Sequence, residues 1–163
     1  MLHAAALLFA IPTAAIPAVV LSSEHEAMCR VAVGDAFPEL KGPKADGGEA
    51  SVRELLGDKA TVVAAPGGAP WMDAMLAGDL KDDFAPKYAD RGVAFATLTG
   101  PSLGEKIAAL EIAKPELSGA LGEGRGPRVY VLDSEGKVLW FDLEYTLSTH
   151  RELHAALDEL LAE

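Results

Sequence analysis

The sequence predicts a single α/β domain built on a mixed sheet, and three observations carry that prediction. Residues 59–77, KATVVAAPGGAPWMDAMLA, pass from a short apolar strand through a glycine loop into an amphipathic helix. A second apolar run, 93–98, follows that helix and repeats the unit, so the two strands are expected to lie parallel. Two further strand-like runs, 129–132 and 137–143, flank Asp133-Ser134-Glu135-Gly136, a turn whose last glycine can take positive φ, and therefore form an antiparallel hairpin.

Size and charge bound the rest. At 163 residues, half of them hydrophobic and 24% charged, the chain has room for one core and one domain. A formal charge of -11, with only 14 Lys and Arg, argues against a nucleic-acid backbone or an anionic membrane as partner. No internal repeat or low-complexity block is evident.

Residues 1–21, MLHAAALLFAIPTAAIPAVVL, contain no Asp, Glu, Lys or Arg. An apolar run, then small residues, then Ser22, Ser23 and Glu24 reads as an export signal, with the usual basic start reduced to the α-amine and His3. Residues 1–29 are thus expected to be a leader and 30–163 the domain, periplasmic or secreted. An uncleaved membrane anchor formed by residues 1–21 is the second option, although Pro12 and Pro17 interrupt a run near the minimum of about 18 residues for a span. A buried N-terminal helix is the third, and the same prolines oppose it. Cys29 is the only cysteine, so no intramolecular disulfide can form. Glu26-Ala27-Met28 lacks the aliphatic residue that a lipoprotein signal carries three places before its cysteine. Cys29 is therefore read as a free thiol able at most to cross-link two chains in an oxidising compartment.

The elements then follow in order. Residues 33–38 are a short extended lead-in, and Ser51-Val52-Arg53-Glu54 is a capping box opening a brief helix that ends at Gly57. Residues 60–65 are small and apolar without alternation, as in a strand covered on both faces, and Pro66-Gly67-Gly68 stops them. Pro70 suits a first helical turn and Asp73 the positive end of the helix dipole. In the helix from 70 to about 89, Met72, Leu76, Leu80, Phe84 and Tyr88 form one apolar stripe, with Lys81, Asp82 and Asp83 off it, and Pro86 should kink or end it. Ser102-Leu103-Gly104-Glu105 reads as another capping box, leading a helix that packs through Leu103, Ile107 and Leu110. Thr149-His150-Arg151-Glu152 caps the last helix, whose buried face is Leu153, Leu157, Leu160 and Leu161.

This order, with GDAFPEL at 34–40, KATVVAAPGGAPWMD at 59–73, DRGVAFATL at 90–98 and GPRVYVLDSEGKVLW at 126–140, resembles the redoxin group of the thioredoxin superfamily, which includes peroxiredoxins and exported thiol-disulfide oxidoreductases. The resemblance covers residue 32 to the end. It implies a thioredoxin-like three-layer fold, a mixed central sheet with helices on both faces, and a cis bond at Gly126-Pro127 in the loop beside the active site.

It also exposes a departure. The two cysteines of a thioredoxin-type CxxC would fall on Pro70 and Asp73, and the segment reads Pro70-Trp71-Met72-Asp73. Exchange needs one thiolate to attack and a second thiol to resolve, and neither proline nor aspartate forms a mixed disulfide. The peroxiredoxin pattern fails too, and Arg128, which could match the arginine steadying a peroxidatic thiolate, would at most face a carboxylate. Cys29 precedes the first family-like segment and has no helix N-terminus to lower its pKa. Asp73 is read as a dipole-stabilised, ordinarily ionised carboxylate rather than a general acid or base. Trp140 reads as core and Trp71 as partly exposed.

His150 and His154 stand four apart on one face of the last helix, a spacing that can hold a metal. They are only two ligands, and HRELH sets its glutamate one place late for HExxH, so the pair is read as surface histidines. No catalytic residue, metal or cofactor is assigned. The old site keeps a shape, with Gly67-Gly68 on one loop and Gly122, Gly124 and Gly126 on the other, which could equally be flexible loops. The first functional expectation is an exported, redox-inactive module that holds a peptide or small ligand through Pro70, Trp71, Asp73, Gly126, Pro127 and Arg128. The second is a thiol-disulfide oxidoreductase or peroxidase acting through Cys29, a partner's thiol or an unrecognised group. The third is a structural subunit of an envelope complex, joined through the acidic surface and the last helix.

Overall fold

The computed structural model describes residues 15–162, so residues 1–14 of the expected export signal lie outside the described residues. The first element is a single helical turn, α1 (Ser23–Ala27), whose N-cap hydroxyl on Ser22 accepts from the His25 amide at 3.2 Å. Two three-residue strands, β1 (Lys41–Pro43) and β2 (Glu49–Ser51), then form an antiparallel hairpin that the sequence reading lacks. Its signal was the turn, where Gly47 and Gly48 both have positive φ, 95° and 79°. The Ser51 capping box forms as expected. Glu54 Oε2 accepts from the Ser51 amide at 2.7 Å, and the turn it opens, Val52–Leu55, is a 3-10 helix.

The central strand, β3 (Ala60–Ala65), is buried along its whole length. It leads into α2 (Pro70–Asp79), which runs on through a π-helical turn, Leu80–Phe84, into α3 (Ala85–Tyr88) and a last 3-10 turn, Ala89–Arg91. Pro86 does not end the helix. The π turn ahead of it opens the ladder, with the Ala85 amide reaching back five residues to the Leu80 carbonyl, just where proline lacks a donor and crowds the preceding turn.

After β4 (Val93–Leu98) the expected helix at 102–110 is absent. Gly104 has φ of 119°, outside any helix, and Ile107 and Leu110 are buried not by a helical stripe but by a short edge strand, β5 (Ala108–Leu110), parallel to β4. The helix comes one step later as α4 (Lys114–Leu121), with Pro115 in its first turn and Gly122 at positive φ behind it. Strands β6 (Arg128–Asp133) and β7 (Val138–Leu143) form the expected hairpin, with Gly136 at φ 84°. The last helix, α5 (Leu147–Leu160), starts a turn earlier than predicted. Thr146 is the N-cap, and Thr149 is its reciprocal partner three residues on, because a second hydroxyl can fill the role that a glutamate fills in the usual box. Leu153, Ala156 and Leu157 are buried, while Leu160 and Leu161 are only partly covered.

The sheet order is β5-β4-β3-β6-β7, with β5, β4 and β3 parallel and β6 and β7 antiparallel. One face carries Val62, Phe95, Val131 and Trp140 against α2, α3 and α5. The other carries Val63, Leu98, Tyr130 and Phe141 against the 31–40 segment, Val52 and α4. This is the α/β three-layer architecture with helices on both faces. Residues ahead of 30 touch it as well, since Ile16, Val19, Leu21 and Cys29 pack partly buried against the two clusters.

Thr149 also donates to Asp142 Oδ2 at 2.8 Å, and the Leu143 amide donates to Asp142 Oδ1. Burial nonetheless pushes the Asp142 carboxyl above its ordinary range, against the pull of those hydrogen bonds. A carboxyl raised in the folded state binds its proton more tightly there than in the unfolded chain. Its contribution is therefore greatest below the unfolded pKa and is lost as pH rises through the folded one. Asp142→Asn should remove that loss. Melting temperatures of variant and native chain, followed from acid to neutral pH, should diverge in favour of the variant as pH rises, and a constant difference would show the carboxyl to be unperturbed.

Candidate functional site

Strand pairing gathers the predicted residues at one end of the sheet. Ala65 pairs with Arg128 and Arg128 with Leu143, so the exit of β3, the start of β6 and the exit of β7 lie side by side. The glycine loop leaves from the first, the Gly126-Pro127 loop enters the second, and α5 follows the third. The Gly126-Pro127 peptide bond is cis. The Pro127 carbonyl accepts from the Glu144 amide at 2.9 Å, and Arg125 pairs with the Glu144 carboxylate at 3.2 Å, which ties this loop to the β7 exit.

The two loops touch rather than face each other across a gap. A Cβ built on Gly68 would overlap the Gly126 carbonyl oxygen and lie 2.5 Å from Pro127 Cδ, so backbone packs on backbone there. Gly126 and Pro127 are consequently buried. Gly122 and Gly124 border a small cleft with Gly67 and Gly126, as expected, and a Cβ on either would meet Met28.

Asp73 closes the first loop. Ala69, the N-cap of α2, has no side chain able to accept, and Asp73 reaches back past it, taking the Gly67 amide at 3.2 Å and the Gly68 amide at 3.2 Å on Oδ1. Those donors commit the carboxylate to holding the loop. Pro70 is exposed at the first helical position, and Trp71 beside it is 63% exposed.

Arg128 does not face a carboxylate. It is buried, and its guanidinium donates Nη1 to the Leu121 carbonyl and Nη2 to the carbonyls of Met28 at 3.0 Å and Glu123 at 2.9 Å. Its charge meets the carbonyl end of α4, where a cation is favoured. It joins the α4 terminus, the loop after it and the segment ahead of the domain.

Cys29 belongs to the opposite face of the sheet from α2, next to Phe141 and Val31. Burial pushes its thiol up, the Arg128 charge pulls the other way, and Glu26 adds to the rise. The proton is held, with Sγ donating to the His25 carbonyl at 3.3 Å, so the thiolate needed for exchange is disfavoured. Trp140 is core, as expected.

The open space at this end of the sheet is small. A cleft of about 70 Å³ lies between Gly67, Ser118, Gly124 and Arg128, far below the several hundred that small-molecule sites usually offer. Two larger hollows, of about 720 Å³ along β5 and about 620 Å³ beside Cys29, are lined by none of Pro70, Trp71 and Asp73.

The histidine pair on α5 was read as lacking a third ligand. The π turn supplies one, placing Asp83 Oδ2 3.0 Å from His150 Nε2 and 2.8 Å from His154 Nε2. Asp83 lies three residues after Leu80 and seven after Leu76, on their face of the helix, and the sequence reading missed it because its partners stand on a distant helix.

Solved structures carry the same fold. A protein provisionally assigned as a disulfide isomerase from Bacteroides thetaiotaomicron superposes with a TM-score of 0.68 at 15% identity, over 84% of this chain and 94% of that one. Peroxidoxin BcpB from Mycobacterium tuberculosis gives 0.63 at 18% identity, over 82% and 98%, and the thioredoxin domain of a thiol-disulfide oxidoreductase from Bacteroides vulgatus 0.60 at 14%, over 78% and 99%. No protein-family model matches the chain, and no curated protein matches it in sequence. The fold is thus thioredoxin-like, in a chain whose single cysteine is Cys29.

Proposed function

We propose that the chain is an exported, redox-inactive thioredoxin-fold module that binds polypeptide across the end of the sheet where Trp71 stands. The observation that carries this reading is the exposure of Trp71 at the first turn of α2, beside Pro70 and above a loop that Asp73 holds in place. An indole standing free costs solvation that a folded chain otherwise avoids, and exposed tryptophans are the residues that dominate binding energies when a partner covers them. Leu147, 84% exposed, opens α5 just after the β7 exit and adds a second apolar contact at the same end of the sheet. The small cleft favours an extended segment lying over the surface rather than an enclosed small molecule. Export rests on the uncharged first 21 residues.

The test has two arms on the purified chain. Disulfide and peroxide substrates should not turn over, whereas Pro70→Cys/Asp73→Cys should gain disulfide exchange, and turnover by the unmodified chain sinks the reading. Linear peptides selected from a displayed library should then lose about 2 kcal/mol or more, some thirty-fold in Kd, against Trp71→Ala. Selected peptides that bind Trp71→Ala as well as the native chain place the binding face elsewhere.

A further inference from the structure

We propose that Asp83, His150 and His154 form a binding site for one divalent transition-metal ion, of which zinc fits the ligands best. The three residues each offer a ligand atom, and these atoms lie within 4.8 Å of one another. Both Nε2 atoms face the same carboxylate oxygen, at 3.0 and 2.8 Å. Metal bonds of about 2.0–2.1 Å in a tetrahedron set neighbouring ligand atoms roughly 3.3 Å apart, so each imidazole would move a few tenths of an ångström away from the carboxylate oxygen as an ion enters.

The ring orientations are imposed from behind. Phe84 stacks on His154 with centroids 4.3 Å apart and meets His150 edge-on at 5.1 Å. The remaining nitrogen of His154, Nδ1, lies 2.8 Å from the Tyr88 hydroxyl, which in turn lies 2.9 Å from Asp158 Oδ1. Tyr88 has a single proton. With that proton on Asp158, the phenol oxygen is left to accept, from His154 Nδ1 or from the Lys87 ammonium, whose Nζ lies 3.4 Å from the same ring nitrogen. The tautomer with its hydrogen on Nδ1 is the one that offers a metal its Nε2 lone pair, and Nε2 is the nitrogen that faces the Asp83 carboxylate at 2.8 Å. The carboxylate-tyrosine-histidine relay is the kind of outer support that orients metal-ligating imidazoles and makes them more basic.

Two imidazoles and one carboxylate match the donor set of open, three-ligand zinc sites, and nothing in it asks for a softer ion. The side chains of Asp83, His150 and His154 are 43%, 31% and 19% exposed, so the fourth position opens to water. A bound ion would clasp the π turn to α5, two elements 67 residues apart in sequence at their closest ligands.

Calorimetric titration of the untagged full chain, stripped with chelator, should show one equivalent of zinc bound saturably, with a rise in melting temperature because the ion binds the folded state. Cobalt(II) in its place should give the visible d–d bands of a low-coordinate nitrogen and oxygen site. Asp83→Asn and His150→Gln should each abolish saturable binding, and Tyr88→Phe, which keeps all three ligands, should weaken it about tenfold. Circular dichroism in chelator verifies that the variants fold without metal, with His150→Gln the milder change because that ring is the more exposed. Absence of saturable uptake by the native chain overturns the proposal, as does undiminished affinity in both Asp83→Asn and His150→Gln, which would place the metal elsewhere.

Discussion

Arg128→Met should be among the most damaging single substitutions in the domain, costing about 3 kcal/mol of folding stability, because charge-assisted hydrogen bonds are worth about 1.5–3 kcal/mol each and a buried acceptor left alone costs about 1–3. Three carbonyls lose their donor at once. They are not equally exposed to the loss. The Leu121 carbonyl also receives the Arg30 amide at 3.2 Å, and Glu123 stands at the surface where water can replace the guanidinium, so the Met28 carbonyl suffers most. Methionine keeps the apolar stem and thereby isolates the hydrogen bonds from packing. Arg128→Lys should recover less than half of the loss, because one ammonium cannot reproduce a planar fork directed at three acceptors. Urea unfolding midpoints measure both variants. Limited proteolysis adds a local readout, since the chain ahead of Val31 should be cut sooner once Met28 is released. A loss under about 1 kcal/mol would mean that water satisfies these carbonyls and that the clamp is not structural.

The same arginine shows where sequence reasoning reached and where it stopped. The alternation of strands and helices was legible because β3, β4, β6 and β7 are long enough to declare themselves by composition, and the Gly126-Pro127 dipeptide marked the loop that meets them. Arg128 was legible as a position and not as a role, since its acceptors are main-chain carbonyls that no side-chain pattern announces. The 102–110 segment misled for a related reason. Leu103, Ile107 and Leu110 satisfy a helical period, but Gly104 and the pairing of β5 with β4 decide the conformation, and pairing is a property of the sheet. Asp83 was missed because the histidines it meets stand on a helix 67 residues further on, and no local pattern links the two elements. At the candidate site, strand pairing sets the exits of β3 and β7 beside the start of β6. The space expected between the loops is reduced to a small cleft beside the Gly68–Gly126 contact, since contact between two glycine backbones carries no signature beyond the glycines themselves.

That contact makes Gly68→Ala the sharpest test of the site. The added methyl would overlap the Gly126 carbonyl and crowd Pro127 Cδ, and neither neighbour is the end of a flexible side chain. Overpacking usually costs about 1–3 kcal/mol, and rigid main chain on both sides puts this case at or above 3. Gly67→Ala is the control. Its φ of 142° disfavours a side chain, but a Cβ there meets nothing within 4 Å, so only the backbone strain of about 1–3 kcal/mol applies, and the open loop should keep it near 1. Thermal unfolding of the two variants should therefore rank Gly68→Ala well below Gly67→Ala. The consequence extends to function, because the loop that Gly68 seats also carries the amides that Asp73 holds and leads directly into Trp71. Peptides selected on the native chain should bind Gly68→Ala more weakly even at temperatures where it remains folded, while Gly67→Ala should retain most of their affinity. An inverted ranking would mean that the two loops are free to part, and that the end of the sheet is an open groove after all.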